Sequence, residues 1–195
     1  MSQTSASLLE RLRDRADSDA WSRMVEVYSP MIRNWVRRYD LAAPDVDDIA
    51  QTVLSAVVAN LPQFEHNGRT GAFRTWLRTI TVNSVRQQFR IDQKRWQSPG
   101  GSAFLANLNE LDDPESDLSR IWNQAHDAHV LRTAMTWAEA EFEPKTWEAF
   151  RRRVLDEEDS STVAAELEMT VNAVQIAKSR VLKRLRELAR GLIDQ

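Results

Sequence analysis

The chain of 195 residues has no cysteine, only five glycines and six prolines, and no long hydrophobic run. Without cysteine it cannot form disulfides, cysteine-ligated zinc sites or iron–sulfur clusters, which is typical of a protein of the reducing cytosol. A β-sandwich or barrel needs a turn about every 8–12 residues, so the shortage of glycine and proline disfavours it. No segment approaches the roughly 18 apolar residues of a membrane span. We therefore expect a soluble, cytoplasmic, all-α protein.

The net charge of −3 conceals alternating acidic and basic blocks. Residues 40–65 contain five acids and no base, whereas residues 69–95 contain seven bases and one acid. The same order recurs in residues 156–168, with six acids and no base, and residues 178–190, with six bases and one acid. Clustered bases indicate a polyanionic partner, although a single run can also be a solvated helix face.

Apolar side chains at helical spacing, interrupted by proline and glycine, predict a series of helices. The expected helices cover residues 7–16, 19–39 and 44–61, a long basic stretch after residue 71, and residues 118–140, 144–155, 161–167 and 171–192. Residues 97–117 hold two glycines, two prolines and an acidic cluster, a composition typical of a linker. We expect two helical domains, residues 1–96 and 118–195, joined by a flexible linker at residues 97–117.

The most specific local pattern begins at Ser161. A short helix with inward apolar residues is followed by a turn at residues 168–170 and then by a longer amphipathic helix. This arrangement predicts a helix-turn-helix, whose second helix enters the DNA major groove. Glu168 stands in the turn, where glycine often supplies a positive φ. An amphipathic helical hairpin with a solvated basic face remains the alternative at this point.

The second helix of this motif carries side chains suited to DNA. Asparagine and glutamine can bind adenine bidentately, arginine can bind guanine, and lysine and arginine bind phosphates. The expected DNA-facing residues are Asn172, Gln175, Lys178, Ser179, Arg180, Lys183 and Arg184.

A second constellation runs from Phe64 to Trp76 and combines aromatic and basic residues. Single-stranded nucleic acid is bound by rings that stack on bases and by cations that neutralise the backbone. Phe64, Phe73 and Trp76 also have a spacing compatible with a core, so at most one or two of them are expected to stack. The loop residues His66, Asn67 and Arg69 are the better candidates for reading a base.

Catalytic and metal-binding interpretations find little support. His126 and His129 could form a metal pair, but the chain has no cysteine and only three histidines, so we interpret them as polar residues of a helix. Asp45, Asp47 and Asp48 are explained by the dipole at a helix N-terminus. No glycine-rich phosphate loop or nucleophile elbow is present, and we expect no catalytic residue, cofactor or metal.

Two motif blocks, in the same order on either side of the predicted linker, point to a family. The stretch from Asp45 to Phe64 is similar to an acidic D-x-x-D-[IL]-x-Q helix, and Phe73 to Asn83 is similar to F-R-x-W-L-x-x-I-x-x-N. Residues 142–150 and 177–185 resemble parts of a second domain. Together they resemble the extracytoplasmic-function (ECF) group of bacterial RNA polymerase sigma factors, although many relatives have leucine at the position of Lys178.

The resemblance implies a role for each block. The acidic helix would dock on the coiled coil of the polymerase β′ subunit through Asp45, Asp48, Ile49, Gln51 and Leu54. The minus-ten promoter element would contact Phe64, His66, Asn67, Arg69, Arg74, Arg78, Asn83, Arg86 and Arg90. The helix-turn-helix would bind the minus-thirty-five element through the DNA-facing residues given above, and its domain would also meet the β flap.

The function implied is that of a sigma factor, monomeric when free, which binds core RNA polymerase and directs promoter-specific initiation. An anti-sigma factor is a further candidate partner. One alternative is a stand-alone helix-turn-helix regulator, which would be a dimer reading a palindrome. Another is a helical adaptor that binds protein alone and shows no salt-sensitive nucleic-acid binding.

Overall fold

The structure is a computed structural model that describes residues 7–39, 43–65, 71–91, 101–190 and 192–193. Every regular element within these ranges is a helix, which confirms the predicted all-α class. None of these helices is both long enough and apolar enough to cross a membrane. The chain divides into an N-terminal unit, mainly Ala6–Val130, and a C-terminal unit, mainly Leu131–Arg190.

The N-terminal unit is built from a short helix and five longer ones. The elements are α1 (Leu8–Arg11), α2 (Ser18–Val36), α3 (Ala43–Asn60), α4 (Ala72–Ile91), α5 (Gly101–Asp112) and the first part of α6 (Asp117–Glu141). In this unit α2 packs on α3, α3 on α4, and α4 on α5. Apolar side chains three and four residues apart form the buried stripes of α2 and α3, such as Met24, Tyr28 and Ile32 on α2. These helices therefore match the ones predicted from periodicity.

The predicted linker contains a helix, which corrects the sequence prediction. Helix α5 occupies Gly101–Asp112, and its Leu108 and Leu111 are fully buried. Glycine and proline in this segment lie near its two ends, and the apolar spacing between them is helical. The two units divide within α6, at residues 130 and 131, rather than at residues 97–117. Residues 97–100 lie outside the described residues.

The C-terminal unit contains the end of α6 and three further helices, α7 (Pro144–Val154), α8 (Ser160–Glu166) and α9 (Val171–Ala189). One buried cluster joins Trp147 and Phe150 of α7 to Val181 and Leu185 of α9. A second cluster places Ala149 of α7 against the inner residues of α8 and α9. Helix α7 thus supports both helices of the predicted helix-turn-helix.

The acidic block at residues 156–168 has a structural role that sequence reasoning did not find. The Arg152 guanidinium donates to Glu158 and, at 2.7 Å, to Glu166. The Arg151 guanidinium donates to Asp156 at 2.7 Å and to Glu148. These hydrogen bonds raise the pKa of Arg152 and lower the pKa of Glu158. The acids therefore neutralise the basic end of α7 and connect it to α8.

Replacing Thr170 by alanine is expected to lower the free energy of unfolding by about 1 kcal/mol. The Thr170 hydroxyl caps α9 by accepting a hydrogen bond from the Ala173 N–H at 3.0 Å. Urea unfolding monitored by circular dichroism measures the loss. Thr170→Ser keeps the hydroxyl, so equal destabilisation by both variants would rule out the cap as the cause.

Candidate nucleic-acid and polymerase interfaces

Helices α8 and α9 are joined by a tight turn at residues 167–170. The N–H of Met169 donates to Ala164 O at 2.8 Å and that of Glu168 to Ala165 O at 3.4 Å, which is the pattern of a Schellman C-cap. Glu168 has φ +50°, so the glutamate adopts the conformation for which glycine is usual. Lys145 Nζ donates to Glu168 O at 3.2 Å and holds the turn. This is the geometry expected of a helix-turn-helix.

Helix α9 presents a polar face opposite its buried stripe. Val174, Ala177 and Val181 are buried. The exposed face carries most of the side chains predicted to meet DNA, namely Asn172, Gln175, Ser179, Arg180 and Lys183. Lys178 is half-buried at the edge of this face. The exposed surface of α9 is therefore polar and positively charged.

Two predicted DNA contacts on α9 are already engaged within the unit. The Arg184 guanidinium donates to both carboxylate oxygens of Glu141, at 2.6 and 2.7 Å, and so clamps α9 to α6. The Gln175 amide donates to Ser160 Oγ at 2.7 Å, at the start of α8. Arg184 thus has a structural contact in this conformation, and its predicted contact with phosphate would require that the pair with Glu141 opens.

The basic residues of α4 occupy different environments. Arg78 has only 3% of its surface exposed, and burial lowers its pKa while Asp112 and Asp113 oppose that shift. The prediction that Arg78 faces DNA is therefore corrected, because the side chain belongs to the interior. Asn83 and Arg90 are exposed.

Two other arginines of α4 are paired with acids of the following helices. Arg74 forms an ion pair with Asp127 of α6. The Arg86 guanidinium donates to Asp112 and to Asn109 of α5, both at 2.8 Å. These contacts join α4 to α5 and α6 and tie the segment predicted as a linker to the rest of the unit. Pairing between segments distant in sequence leaves no local pattern by which it could have been found.

His126 is fully buried within a polar network at the side of α4. Its Nδ1 donates to Asp127 Oδ1 at 2.9 Å, and its Nε2 lies 3.3 Å from the hydroxyl of Tyr28, which donates to it when the ring is neutral. Burial lowers the pKa of His126, although the hydrogen bond to Asp127 opposes this shift. His129 binds Val27 O through Nε2 at 2.6 Å. Both histidines thus have hydrogen-bonding roles, and the described residues contain no group of three metal-ligating side chains.

The N-terminal unit is expected to lose stability as the pH falls below about 6.5. The pKa of His126 is below its usual 6.5 in the folded chain, so the unfolded chain takes up the proton more readily in this range. Protonation would place a cation beside Arg74, while Asp127 stays ionised because, against the effect of burial, hydrogen bonds from His126 and Arg74 lower its pKa. Thermal unfolding at pH 7.5 and pH 5.5 measures this loss. In His126→Gln the loss of thermal stability between pH 7.5 and pH 5.5 should be smaller. An unchanged loss in that variant would assign the effect to another titratable group.

Three aromatic side chains cluster where α4 begins. The Phe64 ring lies 5.5 Å from Phe73 and 5.2 Å from Trp76 between centroids. Phe73 is fully buried, whereas Phe64 and Trp76 are half-buried and keep an accessible edge. The structure thus divides the three between core and surface, in line with the expectation that at most two can stack. His66, Asn67 and Arg69 lie outside the described residues.

An open groove of about 550 Å³ separates α2 from α3. Gln51 and Leu54, both predicted polymerase contacts, line it beside Val25 and Val58, which are 45% and 44% exposed. Arg33 and Asp47 also line the groove, and the Arg33 guanidinium donates to Asp47 at 2.7 Å. Sequence reasoning missed Val25 and Val58, because both stand among other apolar residues and no local pattern separates these two exposed side chains from the buried ones.

The remaining predicted polymerase contacts differ in how far their side chains are exposed. Asp45 and Asp48 are half-buried near the N-terminus of α3. Ile49 is fully buried in the core of the unit and cannot present its side chain to a partner. The prediction that Ile49 contacts the polymerase is therefore corrected. The motif that suggested it contains residues from both the buried and the exposed face of α3 and does not distinguish between them.

The family model described as Sigma-70 region 2 matches residues 24–95, which include most of α2 and all of α3 and α4. A search among curated proteins finds no match. Sigma-70 region 2 is a domain that in general binds core RNA polymerase and promoter DNA. Proteins of this family are initiation factors and not enzymes.

Proposed function

We propose that this protein is an ECF-type sigma factor that binds core RNA polymerase and directs initiation at a specific set of promoters. The observation that carries the proposal is that one chain contains a region 2 match and, in α8 and α9, two helices joined by a tight turn, the second with an exposed basic face. A stand-alone regulator would not require the first of these. We further propose that the protein acts in the cytoplasm as a monomer, where an anti-sigma factor would bind it.

The α2–α3 groove is the proposed docking site for the β′ coiled coil of the polymerase. Its apolar part, formed by Val25, Leu54 and Val58, offers area to bury, and its rim carries polar side chains such as Gln51. An apolar centre with a polar rim is the usual anatomy of a protein interface. Asp45 and Asp48 supply negative charge for a basic partner.

The exposed face of α4 is the proposed site for the minus-ten element. Trp76, Asn83 and Arg90 follow at intervals of seven residues, which places them on one face of the helix. Trp76 and Phe64 can stack on unpaired bases, while Arg90 neutralises phosphate. Arg74 and Arg86 reach DNA in this proposal only when their pairs with Asp127 and Asp112 open.

The exposed face of α9 is the proposed site for the minus-thirty-five duplex. Asn172 supplies an amide for adenine, while Arg180 and Lys183 supply charge for guanine or phosphate. Because one chain carries both DNA-binding surfaces, the second contact is made at a raised effective concentration. Each unit can therefore bind modestly, and specific promoter binding is expected to require polymerase.

Val58→Glu is expected to reduce binding to core polymerase at least tenfold. The substitution places a charge in the apolar part of the groove, and burying an unpaired charge at an interface costs several kcal/mol. Binding is measured by titrating labelled protein with purified core polymerase. The matched control is Leu131→Glu, which changes an equally exposed apolar residue, 46% against 44%, in the C-terminal unit. Unchanged affinity for Val58→Glu would contradict the proposed docking site.

A further inference from the structure

An isoleucine lies within the polar face of α9. Ile176 is 49% exposed, and its neighbours one turn away are Asn172, Ser179 and Arg180, all of them exposed. Ile176 is not a member of either buried cluster of the C-terminal unit. Isoleucine is also a poorer helix former than alanine or lysine. Neither packing nor helix propensity therefore explains an isoleucine at this position.

The surroundings of Ile176 indicate what kind of surface it contacts. A protein partner would bury a contiguous apolar patch, but here the nearby exposed side chains are amide, hydroxyl and cationic. A matching surface must be anionic and carry isolated apolar groups. The DNA major groove is such a surface, because the C5-methyl of thymine is the apolar group displayed among the polar base edges.

We infer that Ile176 is a specificity residue that reads a thymine methyl group in the minus-thirty-five duplex. The inference rests on the proposed function and names one base, thymine, that α9 recognises in the duplex. Asn172 lies one turn before Ile176, about 6 Å along the helix axis, which corresponds to one or two base-pair steps of about 3.4 Å. The thymine read by Ile176 therefore lies within two base pairs of the base bound by Asn172.

The test uses the full chain with core polymerase and the duplex most enriched from a random promoter pool. Each thymine of the minus-thirty-five element is replaced in turn by deoxyuridine, which removes the methyl and keeps the pairing. One replacement is expected to weaken promoter binding roughly fourfold, as for loss of one buried methyl group. In Ile176→Ala the same replacement should have no effect, because the methyl has lost its partner. Leu155→Ala, at an equally exposed residue outside α9 (48%), should keep the full dependence on the methyl.

The possible results separate the inference from the function on which it rests. A deoxyuridine effect that is lost in Ile176→Ala supports the inference. An enriched duplex without thymine in the element, no effect of any replacement, or the same effect in wild type and Ile176→Ala would overturn it and leave the proposed function standing. If no duplex is enriched and no transcript forms with polymerase, the proposed function fails and the inference fails with it.

Discussion

Replacing Phe150 by alanine is expected to lower the free energy of unfolding of the C-terminal unit by about 3–5 kcal/mol. Phe150 is 1% exposed, and its ring centroid lies 5.2 Å from that of Trp147. Its cluster includes Val181 and Leu185, so the ring fixes α9 on α7. Folded domains are typically stable by only about 5–15 kcal/mol. The variant should therefore lose the helix-turn-helix under mild heating.

The consequence for function should be selective. The α2–α3 groove lies in the other unit, so Phe150→Ala should still bind core polymerase while promoter-specific transcription falls. Calorimetry and polymerase titration at the same temperature measure the two effects. Leu155→Ala in the same unit is exposed and should change stability by less than about 0.5 kcal/mol. Loss of polymerase binding together with transcription in Phe150→Ala would contradict the assignment of separate roles to the two units.

Charge reversal on α4 is expected to have the largest effect on transcription. Arg90 lies on the exposed face that carries Asn83, and Arg86 lies one turn earlier on α4. Bringing a carboxylate to a phosphate places like charges together, which costs several kcal/mol at an interface. The double variant Arg86→Glu/Arg90→Glu should reduce run-off transcripts at least tenfold.

The structure shows how to separate this effect from misfolding. Arg86→Glu also removes the hydrogen bonds to Asp112 and Asn109, whereas Arg90→Glu breaks no described contact. Arg90→Glu alone should therefore lose transcript without loss of thermal stability, and the exposed Arg13→Glu should change neither. Asp112→Asn removes the charge that holds Arg86, and transcript should be kept or raised. Full transcription by both Arg90→Glu and the double variant would favour an adaptor that binds protein alone.

The local features of the chain could be predicted from its sequence. Periodicity located α2, α3, α7, α8 and α9, because each buries a stripe of apolar residues three and four apart. The turn before α9 was also predicted, with Glu168 in the place of the usual glycine, and the φ of +50° at Glu168 agrees with that placement. These features depend on residues that are close in sequence.

Features that depend on distant pairing could not be predicted. The sequence around Arg78 is that of a basic exposed helix, yet the side chain is buried and lies close enough to Asp112 and Asp113 for their charges to raise its pKa against the effect of burial. His126 has the spacing of a metal ligand with His129, but its partners are Tyr28 and Asp127. Helix α5 was hidden because glycine and proline near its ends gave the whole segment the composition of a linker.

The most direct test of the account is run-off transcription by purified core polymerase over a random promoter pool, with and without the full chain. Transcripts from a small set of related promoters are expected when the chain is present, and none of them in its absence. The chain alone is expected to bind those duplexes weakly. Tight, specific binding of a palindromic duplex without polymerase, together with no chain-dependent transcript, would contradict the central claim and favour a stand-alone regulator.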